Sequence, residues 1–408
     1  MAKHTPDDVT PATRLVTAGR RADWTGTPAE PGAVVSPPVW RASTHLYPDS
    51  KSLHAGKPNE DGHFYYGRRG SPTQWALSDA LTALEPGAAG TVLYPSGVAA
   101  LAGALLAVLR PGDVLLMTDN AYEPTRSMGN GLLSDFGIET RWFDPLDPAS
   151  FAAAIDERCK AVLLESPGSL TLEICDVPAL AATAHAKGLA VVLDNTWAGP
   201  LGFPALERGA DITVMSLTKH VGGHSDLMLG SAAAGEKYYA KLRRTAQALG
   251  QVISPDDASL ALRGLRTMGL RLQQETSSVV ELSKWLESRD EVAKVLCPML
   301  PGSPGHEIWT RDFSGGCGLF SLVFKGKNGA ARDAFIDALS LFGIGYSWGG
   351  FESLVTPIDP AHLRTATQWP LPGMDQADRF GVRLSIGLEG TADLKADLER
   401  GLAAWAAA

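Results

Sequence analysis

Lys219 follows the run Asp211-Ile212-Thr213-Val214-Met215 and is flanked by the hydroxyls of Ser216 and Thr218. That apolar, β-branched run reads as a buried strand, so the lysine stands just past a carboxyl end, where open α/β sheets bind ligands. An amine is costly to bury unless it is paired or loses its charge, and a Schiff base to a carbonyl cofactor gives such a lysine a covalent task. Taken alone, a solvated loop lysine is the simpler account. A second apolar run, Val191-Val192-Leu193, ends at Asp194, about one helix and one strand earlier. An acid at a strand end is ordinarily a helix cap. Together with Lys219 on the same edge of a sheet, however, it supplies the carboxylate that keeps a pyridinium protonated opposite the lysine that binds its carbonyl. Those are the two demands that pyridoxal 5'-phosphate makes of a protein.

The phosphate needs a cradle, and Ser96-Gly97-Val98-Ala99-Ala100 puts a glycine where a strand turns into a helix. Backbone N–H groups of Gly97 and Val98 then face an anion at the helix start. Ser216 and Thr218 add hydroxyls, Tyr66 a phenol, and Arg68 a guanidinium suited to phosphate. Tyr122, in Asn120-Ala121-Tyr122-Glu123-Pro124, is either a half-buried loop aromatic or a ring laid flat on the cofactor. Arg383 lies inside the apolar strand Gly381-Val382-Arg383-Leu384-Ser385-Ile386 and wants a carboxylate, from a salt bridge or from a bound amino acid. His220 and His224 have metal-like spacing only if helical, and Gly222-Gly223 argues against a helix, so a metal site is not expected.

These residues require a scaffold of alternating strands and helices. Short β-rich runs at 91–94, 113–117, 161–164, 190–193, 211–215 and 227–233 alternate with helical stretches at 74–84, 99–109, 149–155 and 178–187, the pattern of a mostly parallel, two-face-covered sheet. Two long amphipathic segments, 236–249 and 272–285, lead out of it. Strands at 293–296, 318–324 and 380–386 with helices at 330–339 and 392–405 then describe a smaller α+β region. We therefore expect an α/β protein with an arm at 1–70, a large cofactor domain at 71–270 and a C-terminal α+β domain at 271–408. The arm is Pro- and Gly-rich and is expected to lie on a neighbouring subunit. A net charge of −9 with scattered basic residues argues against a nucleic-acid binder, and no apolar run reaches the roughly 20 residues of a membrane span. The first 21 residues lack the apolar core of a signal peptide, and four cysteines without CxxC spacing suit free thiols in the cytoplasm. No GxGxxG follows an early strand, which disfavours a nicotinamide cofactor.

Over roughly 32–402 the chain resembles the Cys/Met-metabolism family of pyridoxal-phosphate enzymes, through Tyr66-Gly67-Arg68-Arg69-Gly70, Ser96-Gly97, Ala121-Tyr122-Glu123-Pro124, Ser216-Leu217-Thr218-Lys219 and His224-Ser225-Asp226. The resemblance implies fold type I and dimers that pair into tetramers, with Tyr66 and Arg68 reaching the phosphate in the neighbouring subunit. It also implies roles: Lys219 as cofactor attachment and base, Asp194 at the ring nitrogen, Tyr122 stacked on the ring and moving a proton, and Arg383 with Ser347 on the substrate's α-carboxylate. Glu165-Ser166-Pro167-Gly168-Ser169, and Trp348 within Ser347-Trp348-Gly349-Gly350, resemble the carbon–sulfur β-lyase members, which act on amino-acid thioethers. Gln247 departs from a tyrosine found in some of them, and Val98 from a common methionine.

Overall fold

The computed structural model describes residues 9–25, 32–56, 62–371 and 373–408. Part of the expected arm, and the first eight residues of the stretch read as lacking a signal peptide, lie outside the described residues. The strands among them are, in chain order, β1 (Gly90–Tyr94), β2 (Val114–Thr118), β3 (Glu139–Phe143), β4 (Cys159–Glu165), β5 (Ala190–Asp194), β6 (Ile212–Ser216), β7 (Gly230–Ala234), β8 (Val292–Leu296), β9 (Leu319–Phe324), β10 (Gly343–Ile344), β11 (Leu354–Ile358) and β12 (Gly381–Ser385). Two compact units contain them. One comprises the chain to Ala107 with Pro204–Glu207 and Asp211–Gly269, and the other Val108–Phe203, Arg208–Ala210 and Leu270–Ala408.

In the first unit β7 pairs antiparallel with both β1 and β6. Its residues Gly230 to Ala234 are small and buried, which lets helices close over the strands. The helix Pro72–Leu84 packs on β1 and on the helix Pro255–Leu265. Its start follows from Ser71, Pro72 and Gln74: proline suits the first helical position, and Ser71 N–H donates to Gln74 Oε1 at 3.0 Å. The arm is not featureless where it is described. Thr10 Oγ1 accepts from Thr13 N and Pro11 opens a short helix, Pro11–Thr17, whose Leu15 is buried and whose carbonyl at Leu15 accepts from Arg266 Nη1 at 2.6 Å. This segment docks on its own chain.

In the second unit β5, β4, β2 and β3 run parallel, in that order. Apart from Lys160, the β4 interior and all of β2 are buried, as expected of strands covered on both faces. A second sheet has the order β10-β11-β12-β9-β8. Its helices, Gly329–Asp337 and Thr391–Ala407, pack together, with Phe324 stacked on Trp405 at 5.7 Å. Asp397 is fully buried in the latter helix and accepts from Ser340 N (2.9 Å) and Leu341 N (2.7 Å), tying the helix to the segment that leads to Ser347. Helices Pro148–Ala154 and Val177–Ala186 each begin with an aspartate cap, Asp147 and Asp176.

The sequence pattern places most of these elements within a few residues, but misses, among others, β3, β10, β11 and the helices Glu123–Met128, Pro255–Leu265 and His306–Asp312. Among the described residues no helix is long and apolar enough to cross a membrane.

Candidate active site

In the first unit β6 ends at Ser216 and the chain enters a tight turn in which Lys219 N donates to Ser216 O (3.2 Å), Gly222 N to Leu217 O (2.8 Å) and Gly223 N to Lys219 O (2.7 Å). Leu217 and Val221 are buried and anchor the turn, so the half-buried Lys219 is presented from a backbone that cannot easily shift. The Thr218 hydroxyl, read from sequence as a phosphate donor, is engaged locally. It donates to Leu229 O at 3.1 Å and accepts from Leu229 N at 3.0 Å, so it pins the turn to the chain entering β7. His224 Nδ1 lies 2.7 Å from Gly222 O, also a local contact.

Beside Ser216 lies the start of the helix Gly97–Val108, where Ser96 Oγ accepts from Ala99 N at 3.1 Å. A Cβ on Gly97 would come within 2.8 Å of Ser216 Cβ and 3.0 Å of its Oγ, so glycine is what allows the strand end to approach the helix. The first N–H groups of a helix, here those of Gly97 and Val98, have no intrahelical acceptor, and with the Ser216 hydroxyl alongside they form a cradle that fits a phosphate. Tyr66 and Arg68 sit exposed at the turn Gly67–Arg69, with Arg68 Nη1 donating to Gln247 O at 3.2 Å. Gln247 lines a surface cavity with Arg68, Arg69 and Arg243.

The second unit brings together Tyr122, Asp194, Arg383 and Ser347, and a further acid. Asp194 Oδ1 accepts from Thr196 N (3.0 Å) and Thr196 Oγ1 (2.6 Å), which fixes the carboxylate at the strand end. In the parallel β4–β5 pairing its partner is Glu165, so two carboxyl groups stand side by side. Glu165 Oε2 accepts the backbone N–H of Tyr122 at 2.6 Å. Burial, and then the charge of Asp194, push the Glu165 carboxyl well above the usual carboxylate range. Burial also raises the Tyr122 phenol, with Arg383 opposing, so the protonated form is favoured at neutral pH. Arg383 lies mid-strand in β12 and donates from Nη2 to Ser347 O at 3.0 Å, a contact that orients the guanidinium without neutralising it. Ser347 itself has φ +83°, and Trp348 beside it is half-buried.

Two features escaped the sequence reading as chemistry. Glu165 stands out in the sequence only as part of a signature. Asp119, at the end of β2, is buried and accepts from the N–H groups of Thr365 (3.0 Å), Ala366 (3.0 Å) and Thr367 (2.8 Å), from both threonine hydroxyls, and from Arg126 Nη1 at 2.9 Å. Burial alone would raise its pKa, but these donors hold it at about 2. It thereby sets the segment Asn120-Ala121-Tyr122. The signature loop has its own constraint: a Cβ on Gly168 would fall 1.9 Å from Asn120 Nδ2, while Ser169 N donates to Asn120 O at 2.8 Å.

Comparison with known proteins bears on this arrangement. Residues 12–403 match the family described as Cys/Met metabolism PLP-dependent enzyme. A putative cystathionine beta-lyase of Rhizobium johnstonii is 44% identical over 91% of this chain and 91% of its own length. The cystathionine beta-lyase MetC of Escherichia coli is 42% identical over 96% and 98%. Among solved structures, a cystathionine gamma synthase of Xanthomonas oryzae pv. oryzae superposes with a TM-score of 0.87 at 34% identity, covering 99% of this chain and all of that one (100%).

Proposed function

The chain belongs to the Cys/Met metabolism PLP-dependent enzymes, uses pyridoxal 5'-phosphate and has their α/β fold of type I, and on that premise we propose that it is a carbon–sulfur β-lyase that cleaves cystathionine to homocysteine, pyruvate and ammonia. The observation that carries the reading is full-length identity of 42–44% to proteins named cystathionine β-lyase, against 34% to the solved γ-synthase. Homocysteine is the precursor of methionine, so the reaction suits methionine biosynthesis.

When bound, the cofactor supplies an electrophilic carbonyl and a ring that takes up the electron pair left at the substrate's α-carbon. The protein's part falls to the residues described. Lys219 Nζ would hold the cofactor through its carbonyl carbon and, as a free amine, would serve as the base for the Cα proton. Asp194 would keep the ring nitrogen protonated. Gly97 and Val98 N–H, with the Ser216 hydroxyl, receive the phosphate, and Thr218 keeps the turn in place. Arg383, oriented by Ser347, binds the α-carboxylate in a charge-assisted pair. Tyr122 would lie over the ring, and its protonated phenol suits a proton donor to the departing sulfur. Trp348 lines the substrate pocket. Tyr66 and Arg68, exposed on their turn, serve the phosphate of a second subunit in a homodimer that pairs further into a tetramer. We assign an arm at 1–70, a large cofactor domain at 71–270 and an α+β domain at 271–408, and place the enzyme in the cytoplasm.

Product analysis tests the reading. Cystathionine incubated with the cofactor-loaded protein should give pyruvate and homocysteine. Release of 2-oxobutyrate and cysteine would identify a γ-lyase instead, and no turnover of any amino-acid thioether would overturn the enzymatic assignment.

A further inference from the structure

Neither the signature reading nor the proposed chemistry uses the carboxyl group of Glu165, yet its position is specific. Glu165 and Asp194 close adjacent parallel strands as register partners, so their side chains leave the same face of the sheet. The two are treated differently by their surroundings. Asp194 receives the N–H and hydroxyl of Thr196, two residues ahead in its own loop. Glu165 instead receives the N–H of Tyr122, from a segment 43 positions earlier. Tyr122 is the residue before the helix Glu123–Met128, and its φ of −51° and ψ of +134° turn the chain into that helix. The far end of the same segment is fixed by Asp119. The four-residue stretch from Asp119 to Tyr122 is thus clamped at both ends by carboxyl oxygens.

We propose that Glu165 is a positioning residue: its carboxyl oxygen fixes the backbone of Tyr122, and with it the place of the tyrosine ring relative to Asp194 and Arg383. The inference rests on the reading of Tyr122 as the residue that lies over the cofactor. What the position requires is an acceptor oxygen of glutamate length. A negative charge is not required, because the neighbouring Asp194 already carries one and two adjacent carboxylates repel. The charged and titratable groups that face the Glu165 carboxyl are Asp194 from β5, Tyr122 from the loop after β2, and Arg364 from the loop after β11.

Two substitutions of similar volume separate acceptor from charge. Glu165→Gln keeps an oxygen acceptor and removes the ionisable group, whereas Glu165→Met fills the space without one. Hydrogen exchange at the Tyr122 amide, resolved to single residues in the cofactor-free protein, reads the clamp directly and independently of catalysis. Protection should fall about tenfold in Glu165→Met, the loss of one hydrogen bond to a half-buried carboxyl, and stay within about threefold in Glu165→Gln. In the loaded enzyme kcat should fall about tenfold in the Met variant with KM little changed, and recover in the Gln variant. The induced circular dichroism of the bound cofactor should follow the same order. Unchanged protection in Glu165→Met overturns the clamp, and equal loss in both variants shows that charge, and not an acceptor, is needed. If protection falls in Met but kcat and the cofactor's dichroism stay at wild type, the clamp stands and the placement of Tyr122 over the cofactor is what fails.

Discussion

Replacing Asp119 with asparagine should destabilise the protein by a calculable amount and in a defined pH window. Asp119 is 1% exposed and its two oxygens take up three backbone N–H groups, two hydroxyls and the Arg126 guanidinium. An asparagine offers one acceptor oxygen in their place, turns an NH2 toward the remaining donors, and leaves Arg126, itself 6% exposed, beside a neutral group. The carboxyl pKa of about 2 lies some two units below the ordinary value near 3.9, which corresponds to about 2.6 kcal/mol. We expect a loss of about 2 to 3 kcal/mol. Because the folded-state pKa is depressed, this stabilisation is complete above the unfolded-state value near 4 and disappears as pH falls through about 2. Urea denaturation of wild type and Asp119→Asn should be compared at pH 7, 5, 4 and 3, at equal protein and saturating cofactor, so that subunit and cofactor linkage cancel. The gap should be constant from pH 7 to 5 and narrow below 4. A variant as stable as wild type at pH 7, or a gap that stays fixed down to pH 3, would refute the assignment of the network's strength to the aspartate's charge.

Lys219→Ala should abolish pyruvate release and leave residue 219 without the cofactor adduct that borohydride reduction traps on the wild-type peptide; persistent turnover at the wild-type rate would remove the lysine from the mechanism. Arg383→Leu should raise KM for cystathionine by about 10- to 100-fold, the worth of a charge-assisted pair to the α-carboxylate, and steady-state kinetics would expose an unaltered KM. Gly168→Ala sets a Cβ 1.9 Å from Asn120 Nδ2 and should cost about 1–3 kcal/mol of stability, measured by denaturation. Adding Asn120→Gly removes the obstacle, so the double variant should recover part of that loss; additive losses would show that the contact is not the cause.

The parts of this architecture that sequence reveals are those whose burial is uniform. β5 and the first part of β6 are buried apolar runs, and they lead to Asp194 and Lys219. β3 hides because its sequence, Glu139-Thr-Arg-Trp-Phe, carries the charges of an exposed strand; Glu139 and Arg141 pair with each other and with Arg158 and Asp156, and only Phe143 is buried. β11 hides because Pro357 interrupts it. At the site the chemistry of Lys219, Arg383 and the Ser96-Gly97 turn is local and therefore legible. Asp119 and Glu165 act through partners 246 to 248 and 43 positions away, so only the folded chain reveals what they hold. Thr218 shows the converse. Its hydroxyl suggested a phosphate ligand, but Leu229, brought back by the turn, takes both its donor and its acceptor.

Ser347 holds a left-handed backbone, φ +83°, that glycine tolerates far better than serine. Keeping a side chain there costs on the order of 1–2 kcal/mol of folding free energy. The neighbouring Gly349, at φ +80°, shows that the loop can use glycine where nothing else is asked of the position. A stabilising screen would therefore drift toward glycine at 347, gaining heat resistance while keeping the backbone carbonyl that receives Arg383. Thermal robustness and the aim of Arg383 are therefore separable at this one residue: the side chain carries the conformational cost, and the main-chain oxygen does the aiming.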